Sequence, residues 1–275
     1  MEVPVNERAR PEAVAEPPVL LSVEAGVARL TMNRPKQYNA ISRGMLDAMH
    51  SALEDIARDR RIRAVVVAGN GPAFSGGHDL KEMMACRTEE FIGGLFDACS
   101  RVMLAMAALP QPVVARVHGT ATAAGCQLVA ACDLAVAASD ARFATSGINF
   151  GLFCATPGVP LSRNLSRKRA FEMLFTGEFI DAPTALDWGL VNRVVAPAEL
   201  DAELARLVGA MTAKPRDVIA AGKALFYAQL EARLADAYGL ASKAITRNML
   251  GPDAAEGVGA FLEKRKPRWD DDAGG

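Results

Sequence analysis

Three short, almost unbroken apolar runs, at residues 64–68, 113–117 and 134–138, restrict the fold more than any other feature of the sequence. A strand with one face in water alternates apolar and polar residues. A strand without alternation needs cover on both faces, as in a parallel sheet between helices. Helical periodicity fills the gaps between the runs. Ser42 can cap a helix whose apolar stripe is Met45, Leu46, Met49, Leu53 and Ile56. Thr88, Glu89 and Glu90 open a second helix that must end before Pro110 and Pro112, and small residues at 121–132 read as a third, buried one. The pattern predicts an α/β core.

Further elements extend it. Segments 19–23 and 27–32 flank Glu24-Ala25-Gly26 and predict a hairpin, and 142–145 reads as a short strand. From Ser166 onward the periodicity is nearly all helical. Asp181 caps a short helix with Pro183 in its first turn and Gly189 at its end; a strand at 190–195 follows. Helices are then expected at 198–212, 215–227, 230–250 and 253–264. The organisation predicted is a disordered leader at 1–18, a core at 19–200, a helical C-terminal region at 201–267 and a frayed tail at 268–275.

Composition narrows the function. Hydrophobic residues make up 51 % and charged ones 23 %, enough for a large core, and the net charge of −1 gives no electrostatic case for nucleic acid or an anionic membrane. The basic clusters at 58–63 and 163–169 fit solvated helix faces. No stretch reaches the roughly 18 apolar residues of a membrane span. Cys86, Cys99, Cys126, Cys132 and Cys154 are odd in number and form no CxxC, so they read as free, mostly buried thiols in a reducing compartment. His50, His78 and His118 are dispersed, and neither a metal site nor a bound cofactor is expected. The N-terminus carries Glu2, Glu7, Glu12 and Glu16, too acidic for a transit peptide; the expectation is a cytoplasmic protein.

Two glycine-bearing loops are the candidate chemistry. The first, 69–78, offers Gly69, Gly71 and Gly76, but its last glycine is misplaced for a dinucleotide fingerprint and Pro72 removes an amide that a phosphate would need. Ser75-Gly76-Gly77 lacks bulk, so a ligand can lie against the chain and meet the N–H of His78. The second, 118–126, runs from a strand into a helix N-terminus with free N–H groups. One donor from each would form an oxyanion hole. Taken by itself, tight strand-to-helix packing explains the same residues.

The order of motifs resembles the crotonase (enoyl-CoA hydratase/isomerase) family. Phe74-Ser75-Gly76-Gly77-His78-Asp79-Leu80-Lys81-Glu82-Met83 is similar to its first oxyanion loop, F-x-x-G-x-D-[LI]-x-x-M/L. Residues 119–133 resemble its second, G-x-a-x-G-G-G-x-x-L-x-x-x-C-D, and Asn33-Arg34-Pro35-Lys36-Gln37-Tyr38-Asn39-Ala40 its N-R-P-x-x-x-N-A segment. Pro157-Gly158, Thr176-Gly177-Glu178, residues 185–191 and Phe261-Leu262-Glu263-Lys264-Arg265 match later landmarks. The Ala-Ala-Gly-Cys-Gln-Leu and Gly-Leu-Phe-Cys-Ala-Thr-Pro-Gly runs mark one subgroup within the family. The resemblance implies a spiral of β-β-α units with a helical C-terminal trimerisation region, assembling as a homotrimer or dimer of trimers. It implies an acyl-CoA thioester as ligand, held in fatty-acyl-CoA metabolism by a lyase or isomerase. The oxyanion donors would be the amides of His78 and Ala124. Lys36, Gln37, Tyr38, Gly76, His78, Leu80, Phe261 and Lys264 would contact CoA, the last two often in a neighbouring subunit.

The chain departs from the family at the two hydratase glutamates. Gln127 takes the first position and Gly147 the second. A carboxamide cannot accept a proton near neutral pH. One positioned acid or base contributes about 10²–10⁴ in rate, whereas backbone oxyanion donors survive both substitutions. Thioester polarisation without ordinary hydration is therefore expected. A non-catalytic acyl-CoA binder and a hydratase with a relocated base (Asp79, Glu82 or Glu178) are the alternatives. Asp133 reads as structural, Thr145 and Asn149 as groups that could hold a water, and the space vacated at Gly147 as room for an anion or a different acyl group.

Overall fold

The structure, a computed structural model, describes residues 16–269. The acidic N-terminus and the last residues of the tail lie outside that range. β1 (Val19–Glu24) and β2 (Val27–Met32) form the expected hairpin. Ala25 and Gly26 both take positive φ, 47° and 75°, which is the turn geometry that matches the twist of paired strands. Ser42 caps α1 (Arg43–Arg58) by accepting from the Met45 N–H, and every residue of the expected stripe is buried.

Three pairs of strands then follow in a repeating order. β3 (Ala64–Gly69) is succeeded by β4 (Ala73–Ser75), then by α2 (Leu80–Ala85) and α3 (Glu89–Ala108). β5 (Val113–Val117) is succeeded by β6 (Thr120–Thr122) and α4 (Ala124–Ala131). β7 (Leu134–Ala138) is succeeded by β8 (Arg142–Ala144), α5 (Ala155–Asn164) and α6 (Arg167–Thr176). The first strand of each pair enters one sheet and the second strand enters another. With β9 (Ile180–Asp181), α7 (Ala182–Trp188) and β10 (Arg193–Val195) added, the sheets read β1-β2-β3-β5-β7-β10 and β4-β6-β8-β9. Apart from the pairings of β1 and β9, all neighbours are parallel. This is the spiral of β-β-α units that the motifs implied.

The unalternating strands are covered on both faces. Val65 and Val67 enter the main core with α1 and α3, while Ala64 and Val66 face Leu200, Leu204 and Val208 of α8 (Leu200–Thr212). Among the described helices, α3 is the one long and apolar enough to cross a membrane; its buried residues, Leu95, Ala98, Cys99, Val102, Met103 and Met106, pack in this core.

α9 (Arg216–Leu230) and α10 (Leu234–Met249) contain no buried residue, and α11 (Pro252–Leu262) only Ala260. What fixes α9 to the core is polar. Lys223 Nζ pairs with Asp133 at 2.7 Å and donates to the carbonyls of Met106 and Gln111, and the Tyr227 hydroxyl donates to Asp133 at 2.6 Å. Asp133 also accepts from the Val113 N–H, so its structural reading stands. Burial lowers the Lys223 pKa against the pull of Asp133.

Some elements differ from expectation. The first glycine-rich loop contains β4, and the stretch read as one helix from 121 is β6 followed by α4. Three-residue strands are too short to show a period of two. α5 is hidden in the sequence by Pro157, Gly158 and Pro160, with Pro160 inside the helix. The strand expected at 190–195 shortens to β10 because Leu190 and Val191 turn back onto Ala185.

Candidate oxyanion site

The first loop is held by a polar network. Asn39, fully buried at φ 53°, accepts from the Arg34 N–H and donates from Nδ2 to the carbonyls of Asn70, Ala73 and Phe74. The Ser75 hydroxyl donates to the Asn39 carbonyl and accepts from the Gly77 N–H. Arg34 bonds the Ala40 carbonyl and the Asp79 carboxylate. Asn39 was not among the candidate site residues, although the N-R-P-x-x-x-N-A segment contains it. Its signal was an asparagine in a segment otherwise assigned to ligand contact.

This network aims one amide. The Ile41 N–H donates to the Gly77 carbonyl at 2.8 Å, and the Ile41 carbonyl accepts from the Asp79 N–H at 3.0 Å. In a trans peptide the N–H points opposite to the C=O. The His78 N–H therefore faces away from Ile41, and no described residue accepts from it.

The second amide comes from α4. Its N-cap, Ala123, sits at φ 50° and ψ −120°, a conformation that costs an L-residue on the order of 1–3 kcal/mol. The family pattern has glycine there. The Ala123 N–H is tied to the Ala144 carbonyl, and Ala124, at the first helical position, has no described acceptor for its N–H.

Two glycines bring the loops together. A Cβ on Gly77, at φ 90°, would lie 2.8 Å from the Ala123 Cβ and 3.3 Å from the Ala124 nitrogen. A Cβ on Gly125 would lie 2.4 Å from the Ser75 carbonyl oxygen. Side chains at either place would push the segments apart. The result is two unsatisfied donors, from separate loops, on either side of a contact that only glycine permits.

Exposed residues flank this point. Lys36 and Gln37 lie in a 3-10 turn, Pro35–Gln37, that Tyr38 caps beside it; the Gly76 N–H bonds the Tyr38 carbonyl, and Leu80 opens α2. Phe261 and Lys264 are not brought there within one chain: α11 packs on α10.

The two positions that the resemblance assigns to glutamates differ from one another. Gln127 is 3 % exposed, and its Oε1 accepts weakly from the Cys99 thiol at 3.9 Å. Gly147 offers no vacant room, contrary to expectation. A Cβ there would lie 2.6 Å from the Leu152 carbonyl oxygen and 2.8 Å from the Cys154 Sγ. Nor do Thr145 and Asn149 wait for a water. Thr145 donates to the Met173 carbonyl and Asn149 to that of Gly177. A different hydroxyl pair, Thr122 and Ser146 at 2.8 Å, joins the second loop to the Gly147 segment.

Nearby titratable groups are neutral or committed. Burial pushes the thiols of Cys99 and Cys126 up to about 12. Burial also holds His78 and His118 below the ordinary imidazole range. Asp79 caps α2 and pairs with Arg34, and Glu82 accepts from the Arg43 N–H. Glu178 is exposed. All five cysteines are free, and Cys86 is the exposed one. Among the described residues no three potential metal ligands cluster.

A double-layered β-β-α spiral, with an acceptor-free amide on each of two loops held together at Gly77 and Gly125, has the architecture of a crotonase-type protein. The Enoyl-CoA hydratase/isomerase family matches residues 22–272, and the chain belongs to that family. It is 45 % identical over 244 residues to human enoyl-CoA hydratase domain-containing protein 3, mitochondrial, covering 89 % of this chain and 80 % of that one. The rat protein of the same name is 43 % identical over 263 residues, covering 95 % and 88 %. Among solved structures, an enoyl-CoA hydratase of Mycobacterium smegmatis is 57 % identical with a TM-score of 0.91, covering 93 % of this chain and all of that one. Human enoyl-CoA hydratase domain-containing protein 3 is 44 % identical with a TM-score of 0.89, covering 92 % and 100 %. The subgroup marked by the Ala-Ala-Gly-Cys-Gln-Leu run is that one.

These names correct one expectation. The vertebrate relatives are designated mitochondrial, which overturns the cytoplasmic assignment. That assignment rested on acidic residues at the N-terminus, and free thiols do not identify one reducing compartment.

Proposed function

We propose that the chain binds an acyl-CoA thioester and polarises its carbonyl oxygen between the N–H groups of His78 and Ala124. The observation that carries this reading is the pair of acceptor-free amides beside the Gly77–Ala123 contact. Each such donor is worth about 3–4 kcal/mol when aimed at a developing oxyanion in a dry site. The exposed turn at Lys36, Gln37 and Tyr38, with Gly76 and Leu80, would lie along the CoA.

The chemistry proposed is enolate or oxyanion chemistry that needs no carboxylate pair, such as isomerisation, thioester hydrolysis or decarboxylation. Gln127 supports this because it can position but not accept a proton. A non-catalytic acyl-CoA binder is favoured by a second observation: Asp79 and Glu82 are committed to structural bonds, and the Cys99 and Cys126 thiols are held protonated. Calorimetry with acyl-CoAs, free CoA and adenine nucleotides tests the binding. Acyl-CoA is expected to bind more tightly than CoA; equal affinity for nucleotides lacking pantetheine would reject the reading. Turnover of an acyl-CoA panel separates enzyme from binder.

Self-association belongs to the same proposal. Phe226, Leu234, Ile245, Leu250 and Phe261 are all more than half exposed on helices with almost no buried residue, a surface that suits a trimer contact and would bring Phe261 and Lys264 to a neighbour's CoA. Sedimentation analysis is expected to give a trimer or its double; a monomer at micromolar concentration would reject it.

A further inference from the structure

Lys223 of α9 reaches the far ends of both helices that stand behind the oxyanion loops. Its ammonium group has three protons to donate, and each finds an acceptor. The first acceptor is the Met106 carbonyl, in the last turn of α3, and the second is the Gln111 carbonyl, in the link from α3 to β5. The third is the Asp133 carboxylate, just beyond the end of α4. Asp133 is as fully engaged, because it also accepts from the Tyr227 hydroxyl and the Val113 N–H. A cation in the last turn of α3 also offsets the partial negative charge of that helix end.

Followed back from this cluster, the same two helices lead to the amides. Ala124 is the first residue of α4, whose eight residues span about 12 Å. α3 carries Phe96, to which the His78 ring stands edge-on with centroids 5.2 Å apart. It also carries Cys99, which donates to Gln127 of α4 at 3.9 Å. Helices this short move as rods, so a shift at their gripped ends is delivered at the loops.

Holding α9 in place does not by itself call for such a cluster. A buried ion pair adds little net stability over apolar residues of the same volume, because desolvation offsets the attraction. With side chains 7 % and 17 % exposed, Lys223 and Asp133 bear that cost. What their complete set of partners supplies is one fixed geometry. We propose that Lys223, Asp133 and Tyr227 are positioning residues for the oxyanion site: they fix the far ends of α3 and α4 and thereby the placement of the His78 and Ala124 amides. This rests on the acyl-CoA reading above and deepens it.

Lys223→Met and Tyr227→Phe test it on the full chain, each titrated by calorimetry with butyryl-CoA and with CoA. The thioester reports the amides, and CoA reports every contact that does not involve them. Lys223→Met is expected to lower the ratio of butyryl-CoA to CoA affinity about tenfold, the scale of a small misplacement at a preorganised site. Tyr227→Phe removes one hydrogen bond and keeps the ring, and about a threefold fall is expected. The carbonyl stretch of the bound thioester is expected to move back toward its frequency in water in the same order. Should Lys223→Met fail to fold, Tyr227→Phe carries the test. An equal loss of affinity for both ligands assigns the cluster to packing alone and overturns the proposal. An unchanged ratio with an unchanged carbonyl frequency overturns it too, and either result leaves the acyl-CoA reading standing. Butyryl-CoA binding no more tightly than CoA to the unaltered protein overturns both.

Discussion

By the family resemblance Gln127 and Gly147 would take the places of the two hydratase glutamates, and the surroundings of the two are opposite. At Gln127 the side chain is in place and buried. A carboxamide has the outline of a carboxylate, and the side chain still reaches α3 at Cys99. At Gly147 there is no room for a side chain, with the Leu152 carbonyl and the Cys154 sulfur standing where a Cβ would go. One position holds a side chain of carboxylate outline and the other leaves no space for one. A departure from the family motif therefore need not leave a vacancy, and writing the motif residue back does not by itself make a site.

The largest expected effect tests the first half of that contrast. Gln127→Glu places a carboxylate at a buried side-chain position beside the second loop, and hydration of crotonyl-CoA is expected to rise by about 10²-fold, the lower end of what one positioned acid or base supplies. No change in rate would show that the position does not face the reacting carbons. Gly147→Glu tests the second half. Overpacking against backbone should cost on the order of 1–3 kcal/mol in urea unfolding, with no gain in hydration. A variant of unchanged stability that hydrates faster would break the comparison.

Ala123→Gly sharpens it, since Ala123 sets the direction of α4 and hence of Gln127. Relief of the strained φ outweighs the added freedom of the unfolded chain, and a net stabilisation of about 1 kcal/mol is expected from the midpoint of denaturation. Smallest is the response to pH. His78 and His118 bind protons more weakly when folded than when unfolded. The unfolded chain therefore takes up more protons, and stability falls as pH drops below about 6.5, levelling once the folded values are passed. Denaturation at successive pH values should show this fall, and His78→Phe should reduce it.

The fold was largely legible because its strongest signals are physical. Unalternating runs at β3, β5 and β7 demanded cover on both faces, and Ser42, Asp181 and Gly189 carry end signals that local chemistry enforces. Of the second sheet, β8 was legible as the short strand read at 142–145, whereas β4 and β6 are three residues long and sit in segments that read as a glycine loop and the start of a helix. At the site, the motifs pointed to the amides of His78 and Ala124, and neither has a described acceptor; backbone donors depend on loop shape and not on side-chain identity. The sealing of Gly147 could not, because Leu152 and Cys154 return to it through a turn whose path no periodicity encodes. Asn39 escaped for a related reason: one side chain organises three carbonyls that are 31 to 35 residues away in the chain.

The central claim concerns the bond order of one carbonyl. Infrared difference spectroscopy of an acyl-CoA labelled with 13C at its thioester carbon reads it directly. Two amides converging on the oxygen predict a shift of the labelled stretch to lower frequency on binding, reduced when Gly77→Ala forces the loops apart. A bound ligand whose carbonyl frequency stays at its value in water would contradict the account.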